Sequence, residues 1–134
     1  MPAYQATEFS APVVHYLRRN ISEADEGGGS LTLGVMPAGS IVVGAGVIVG
    51  TAFNGTSPIL QIGTSGDTDG FATNLALGTI GNIVWDELAT SNDLYSTSEV
   101  TVVCVVSATG NDSTAGYGVA YVSFIPNNGN GRTS

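Results

Sequence analysis

Lysine is absent from this chain, and its only cations, Arg18, Arg19 and Arg132, face 11 Asp and Glu residues. The formal net charge is −8 and the pI is near 4.1. Such a chain has little with which to neutralise a phosphate backbone, so nucleic acid is not an expected partner. Charge of either sign is scarce. Only 10% of the residues are charged, compared with about 25% in a typical soluble domain. Solubility must therefore rest on Ser, Thr, Asn and Asp in turns as much as on charge, a surface compatible with a monomer that also suits a protein packed against other proteins.

A single cysteine excludes an intramolecular disulfide and a cysteine metal cluster. Cys104 stands inside Val-Val-Cys-Val-Val, where it reads as a small buried apolar residue and not as a reactive thiol. His15 is the one histidine, and without a second it reads as a surface or half-buried side chain. There is no Gly-x-Ser-x-Gly elbow, no His-Glu-x-x-His and no phosphate loop. With one histidine, one cysteine and no lysine, nucleophile–base pairs have almost no candidates, and neither an enzyme, a cofactor nor a metal centre is expected. No apolar run reaches the roughly eighteen residues of a membrane span, and no basic-then-apolar leader opens the chain. Neither a membrane partner nor a secretory signal is expected.

What the chain does have is glycine and β-branched residues. Its organising stretch is Leu31 to Phe71, with a turn at Met36-Pro37-Ala38-Gly39, a long apolar run, Asn54-Gly55, and a second apolar run closed by Gly63. Read with period two, Ile41, Val43, Ala45, Val47, Val49, Thr51 and Phe53 share one face. Val42, Gly44, Gly46, Ile48, Gly50 and Ala52 share the other. A helix here would hold three glycines, each costing about 1 kcal/mol relative to Ala, whereas Val and Ile between turn signals favour a strand. Its length predicts a bulge near Gly44 or Gly46. The face carrying Gly44, Gly46 and Gly50 lets something lie close against the sheet: a sheet corner, an aromatic ring of the same chain, or a neighbouring subunit.

Residues Met1–Ser10 read as a polar arm bearing two aromatics, Tyr4 and Phe9, ahead of a first strand over Pro12–Arg19. Ile21–Ser30 reads as a solvated acidic loop with room for one helical turn before its three glycines. Asp67-Thr68-Asp69-Gly70 resembles the opening of a calcium loop, but no Glu stands at the twelfth position, and a structural turn is the better reading. Phe71–Leu77 and Asn82–Leu88 read as short strands. Trp85 is a core residue or, with Asp86 and Glu87, a sugar platform. Those two acids are adjacent and would point to opposite faces, which is wrong for a carboxylate pair across a cleft. Glu99–Thr109 and Tyr117–Pro126 read as an antiparallel hairpin. Val100, Val102, Cys104 and Val106 share one face and Val103 and Val105 the other, so this strand should be covered on both sides.

These signals define an all-β fold, an antiparallel β-sandwich or jelly roll over residues 11–126, with an N-terminal arm at 1–10 and a C-terminal tail at 127–134. No fixed repeat period points to a propeller or solenoid. Tyr4, Phe9, Gly44, Gly46, Gly50, Val103 and Val105 are the candidate interface residues.

Three segments carry a resemblance. Leu33-Gly-Val-Met-Pro-Ala-Gly-Ser-Ile-Val-Val, Thr51-Ala-Phe-Asn-Gly-Thr, and Ile62-Gly-Thr-Ser-Gly-Asp-Thr-Asp-Gly-Phe-Ala, within roughly residues 30 to 75, resemble small β-rich virion proteins of tailed bacteriophages. The resemblance implies a structural protein of the particle, with a capsid decoration or cement protein fitting best in size, acidity and lack of catalytic residues. It further implies a place on the outer capsid surface after synthesis in the host cytoplasm. The partners would be the major capsid protein and further copies of this chain, as a symmetric homo-oligomer, in particular a trimer. The alternatives are a carbohydrate-binding β-sandwich of a host-attachment fibre, using Trp85, Tyr95, Tyr117 or Tyr121 as stacking platforms, and a tail or neck protein.

Overall fold

β-Branched runs broken by Gly, Asn and Ser turns give eight strands in the computed structural model, which describes residues 14–84 and 94–126. In chain order they are β1 (His15–Ser22), β2 (Ser30–Met36), β3 (Ile41–Thr51), β4 (Ile59–Thr64), β5 (Asp67–Ala76), β6 (Gly81–Val84), β7 (Val100–Ser107) and β8 (Tyr117–Ile125). A single 3-10 turn, Glu23–Asp25, interrupts the first connection, where the acidic run before the glycines allowed one. Among the described residues there is no α-helix.

The strands form two four-stranded antiparallel sheets, ordered β1-β8-β3-β6 and β2-β7-β4-β5. Thus β1 pairs with β8, β2 with β7, β3 with β6 and β4 with β5, the pairing of one long hairpin rolled over on itself. This is the eight-strand jelly roll. The expected hairpin of the last two strands does not form, because β7 and β8 lie in different sheets. Local alternation is the same for a strand that turns back on its predecessor and for one that crosses to the facing sheet, and the long polar connection between them makes the crossing.

The core lies between the sheets. Ala45, Val47, Val49, Ala120 and Val122 from the first sheet face Leu60, Ile62, Val102, Cys104 and Val106 from the second, all at 0–1% exposure. Each fully buried Val, Leu or Ile stabilises the fold by about 1.5–3 kcal/mol relative to exposure. Val42 is buried too, while its neighbours Ile41 and Val43 are half-exposed. Strict alternation would forbid burying both Val42 and Ala45. The expected bulge resolves this: the pairing of β3 with β8 shifts between Val42 and Gly44, so the residues before it exchange faces.

Other boundaries also differ from the sequence expectations. The first strand starts at His15 and runs on to Ser22, because its pairing with β8 continues to Tyr117. The Asp-Thr-Asp-Gly segment belongs to β5, and the turn itself is the shorter Ser65-Gly66. The acidic loop is tied down and not merely solvated. Ser22 N–H donates to Asp25 Oδ2 at 2.8 Å. Ser113 donates to Glu26 twice, from N–H at 2.6 Å and from Oγ at 2.7 Å. Gly55 N–H in turn donates to Ser113 Oγ at 2.8 Å. Asn54 joins the same end, accepting from Thr114 N–H at 2.7 Å. Three connections, β1–β2, β3–β4 and β7–β8, are thereby stitched together at one end of the sandwich.

Candidate interaction surface

The sheet β1-β8-β3-β6 turns one face to the core and the other outward, and the register fixes what stands side by side on the outward face. Asn20, Val119, Ile48 and Asn82 form one row across the four strands. Arg18, Tyr121, Gly46 and Val84 form the next, and Tyr16, Ser123 and Gly44 a third. Tyr16, Ile48 and Val84 are 64%, 50% and 49% exposed. A shallow groove of about 400 Å³ runs between Tyr16, Arg18, Ile48, Val119 and Tyr121.

The glycines shape this surface. A Cβ on Gly46 would lie 2.8 Å from the Tyr121 hydroxyl, and one on Gly44 would lie 2.7 Å from Ser123 Oγ. The end of the Tyr121 ring therefore packs against β3 at Gly46, and its hydroxyl donates to Asn82 Oδ1 at 3.0 Å. Tyr16 meets Tyr121 edge-on, with ring centroids 6.4 Å apart. Tyr117 lies beside Gly50 at ordinary contact distance. Of the possibilities open for the glycine face, an aromatic ring of the same chain occupies the space over Gly46, and with Tyr16 it makes an aromatic platform on this face.

The other sheet is different. Val103 is 4% exposed and Val105 half-buried. Val103 pairs with Gly63 of β4. A Cβ at Gly63 would collide with the carbonyl oxygen of Asp67 and approach Gly70 N at 2.6 Å. The start of β5 thus folds across the outer side of β4 beside Val103, so the second cover for β7 comes at least in part from the chain itself. Val103 offers a partner little area. Tyr4, Phe9, Trp85, Asp86 and Glu87 lie outside the described residues.

Sites for chemistry are placed as follows. Cys104 is fully buried, and burial above all pushes its thiol up to about 12 from 9.0. His15 is exposed at the start of β1, its ring 5.9 Å from that of Phe124. Asp67 and Asp69 are exposed, and Asp67 N–H donates to Thr64 Oγ1 at 3.1 Å. Among the described residues no three His, Cys, Asp or Glu side chains converge on a metal position. A second, polar depression of about 370 Å³ lies near Thr64, Tyr95, Ser96, Glu99 and Thr101. Sequence reasoning named Tyr121 only as a sugar platform and overlooked Tyr16 and Arg18. The signal was present in the alternation of β1, which sets both on the side opposite Leu17.

No protein-family model matches the sequence, and no curated protein matches it. Solved structures do. A chain in the cyanophage Pam1 capsid asymmetric unit has a TM-score of 0.63 at 17% identity, over 84% of this chain and 84% of that one. A chain in the acidic stable capsid structure of Helicobacter pylori bacteriophage KHP30 has a TM-score of 0.62 at 20% identity, over 84% of this chain and 87% of that one. At these identities the shared property is the fold: the chain is a jelly roll of the kind found in both phage capsids.

Proposed function

We propose that this protein is a non-enzymatic structural component of a phage capsid. More specifically, it is a decoration or cement protein on the outer surface of the shell, a trimer that bridges subunits of the major capsid protein. The observation that carries this reading is the shared fold, which extends over 84% of the chain with chains from two phage capsids. The sequence supports it independently through the bacteriophage resemblance of residues 30 to 75 and the shortage of nucleophile–base candidates. The exposed platform on the first sheet supports self-association or docking, because large contiguous apolar surface usually marks an interface.

The test is reconstitution. Purified protein is added to capsids assembled without it, and the particles are sedimented, imaged and heated. Saturable binding at symmetric positions on the shell, with a raised disruption temperature, is expected. Absence of binding, together with selective binding on a glycan array that a Tyr95→Ala or Tyr121→Ala variant abolishes, would replace this reading with the carbohydrate-binding one. The trimer is tested by light scattering at micromolar concentration, where a stable species of 13.5 kDa would refute it.

A further inference from the structure

Resting on the oligomer proposed above, we infer that the outward face of the β1-β8-β3-β6 sheet is where one copy of this chain receives the next. The contact is head-to-tail and sets an acidic segment of the neighbour against Arg18.

Charge is distributed unevenly between the two sheets. β1, β8, β3 and β6 contain no Asp or Glu, in a chain with 11 carboxylates. The cations on those strands are Arg18 and Arg19, both on β1. Arg19 is engaged, donating to the carbonyl of Thr32 on β2 at 3.2 Å. Arg18 stands in the outward groove between Tyr16 and Tyr121, with no ion-pair partner among the described residues. Among the described residues the platform is thus mostly apolar and aromatic, with one guanidinium that has no ion-pair partner there. The other sheet carries Asp67 and Asp69, and the connecting loops carry Glu23, Glu99 and Asp112.

Two identical chains of charge −8 repel at long range. They can approach closely where the apolar platform of one meets the other and a carboxylate answers the guanidinium. Face-to-face pairing about a two-fold axis would bring both Arg18 side chains into one apolar contact with no strand carboxylate from either sheet. Burying unpaired cations is costly. A heterologous contact avoids this, since the receiving face and the acidic face are different parts of the same surface, and such contacts form a ring where the rotation between copies closes. The chain therefore carries both halves of a complementary pair.

The experiment compares the full chain with Ile48→Asp, Arg18→Glu and, as a control, Val35→Asp on exposed β2, by light scattering and circular dichroism. Wild type and the control should run at the same multiple of 13.5 kDa, and the two face variants should fall to 13.5 kDa with unchanged spectra. Tagged Ile48→Asp keeps its acidic side, so it should still capture untagged wild type. An oligomer that survives both face variants overturns the assignment. Failure of the tagged variant to capture wild type overturns the head-to-tail geometry in favour of a two-fold. An unchanged mass with a lowered melting temperature shows that a segment of the same chain covers the face, which also overturns it. A monomeric wild type overturns the inference, while the separate capsid-binding assay still reports on the structural role.

Discussion

Glu26 holds together loops that are far apart in sequence. Its carboxylate accepts both hydrogen bonds of Ser113, whose hydroxyl is itself the acceptor for Gly55 N–H. Hydrogen bonds to a charged partner contribute about 1.5–3 kcal/mol each and are not additive within one network. Glu26→Ala should therefore cost about 2–3 kcal/mol in urea unfolding, and Glu26→Gln, which keeps an acceptor, distinctly less. An equal loss for the two variants would show that packing, and not the carboxylate, matters there. Cys104 makes a second prediction at this scale. Its folded-state value of about 12 lies above 9.0 because burial disfavours the thiolate. Above 9.0 the unfolded chain gives up this proton while the folded chain keeps it, so the contribution is whole below pH 9 and is lost as pH rises towards 12. Cys104→Ala should remove one proton's worth of that alkaline slope. The wild-type thiol should also resist a disulfide reagent at pH 8 until urea is added.

Strands were the most legible elements, and their sheet membership the least. The Val and Ile runs announce β3, β7 and β8, and the bulge expected near Gly44 or Gly46 falls between Val42 and Gly44. Whether β8 returns beside β7 or crosses to the other sheet is not encoded in either strand, because both present apolar residues at period two. It depends on which strands are available to pair: β2 and β4 flank β7, and β1 and β3 flank β8. The candidate surface was half legible for the same reason. Its glycines stood out in the sequence, but the ring over Gly46 comes from a residue on β8 that only the register brings alongside. The β4–β5 pair offers the sharpest test at this scale. The register of β4 with β5 shifts between Ile62 and Thr64, and the start of β5 folds across Gly63. Gly63→Ala drives a methyl group into backbone that cannot rotate away, and should cost about 3 kcal/mol, the upper range for overpacking. Gly66→Ala, with open space around its Cβ position, should stay within about 0.5 kcal/mol of wild type. Thermal melts of the pair check this, and similar values for the two would show that β5 does not fold across β4 as described.

For the whole molecule, the division of labour runs between a closed sandwich and whatever leads into it. Among the described residues β1 stands at the edge of its sheet, paired with β8. Residues 1–10 precede it and bring Tyr4 and Phe9, aromatic side chains of the kind that anchor interfaces by filling pockets. Among the described residues the fully buried core between the sheets runs from Ile21 to Phe124. We therefore propose that the arm docks on the capsid shell, by filling pockets with its two aromatics and by adding backbone pairing to an exposed sheet edge of the partner. Deleting residues 2–10 should leave the melting temperature near that of wild type and the oligomer intact. Binding to capsids lacking the protein should fall by at least about tenfold, the equivalent of losing about 1.4 kcal/mol of contact. Tyr4→Ala with Phe9→Ala in the full-length chain should reproduce most of that loss without shortening the backbone. Full binding by the truncated protein would assign attachment to the sandwich itself. An unfolded truncated protein would show instead that the arm completes its own domain.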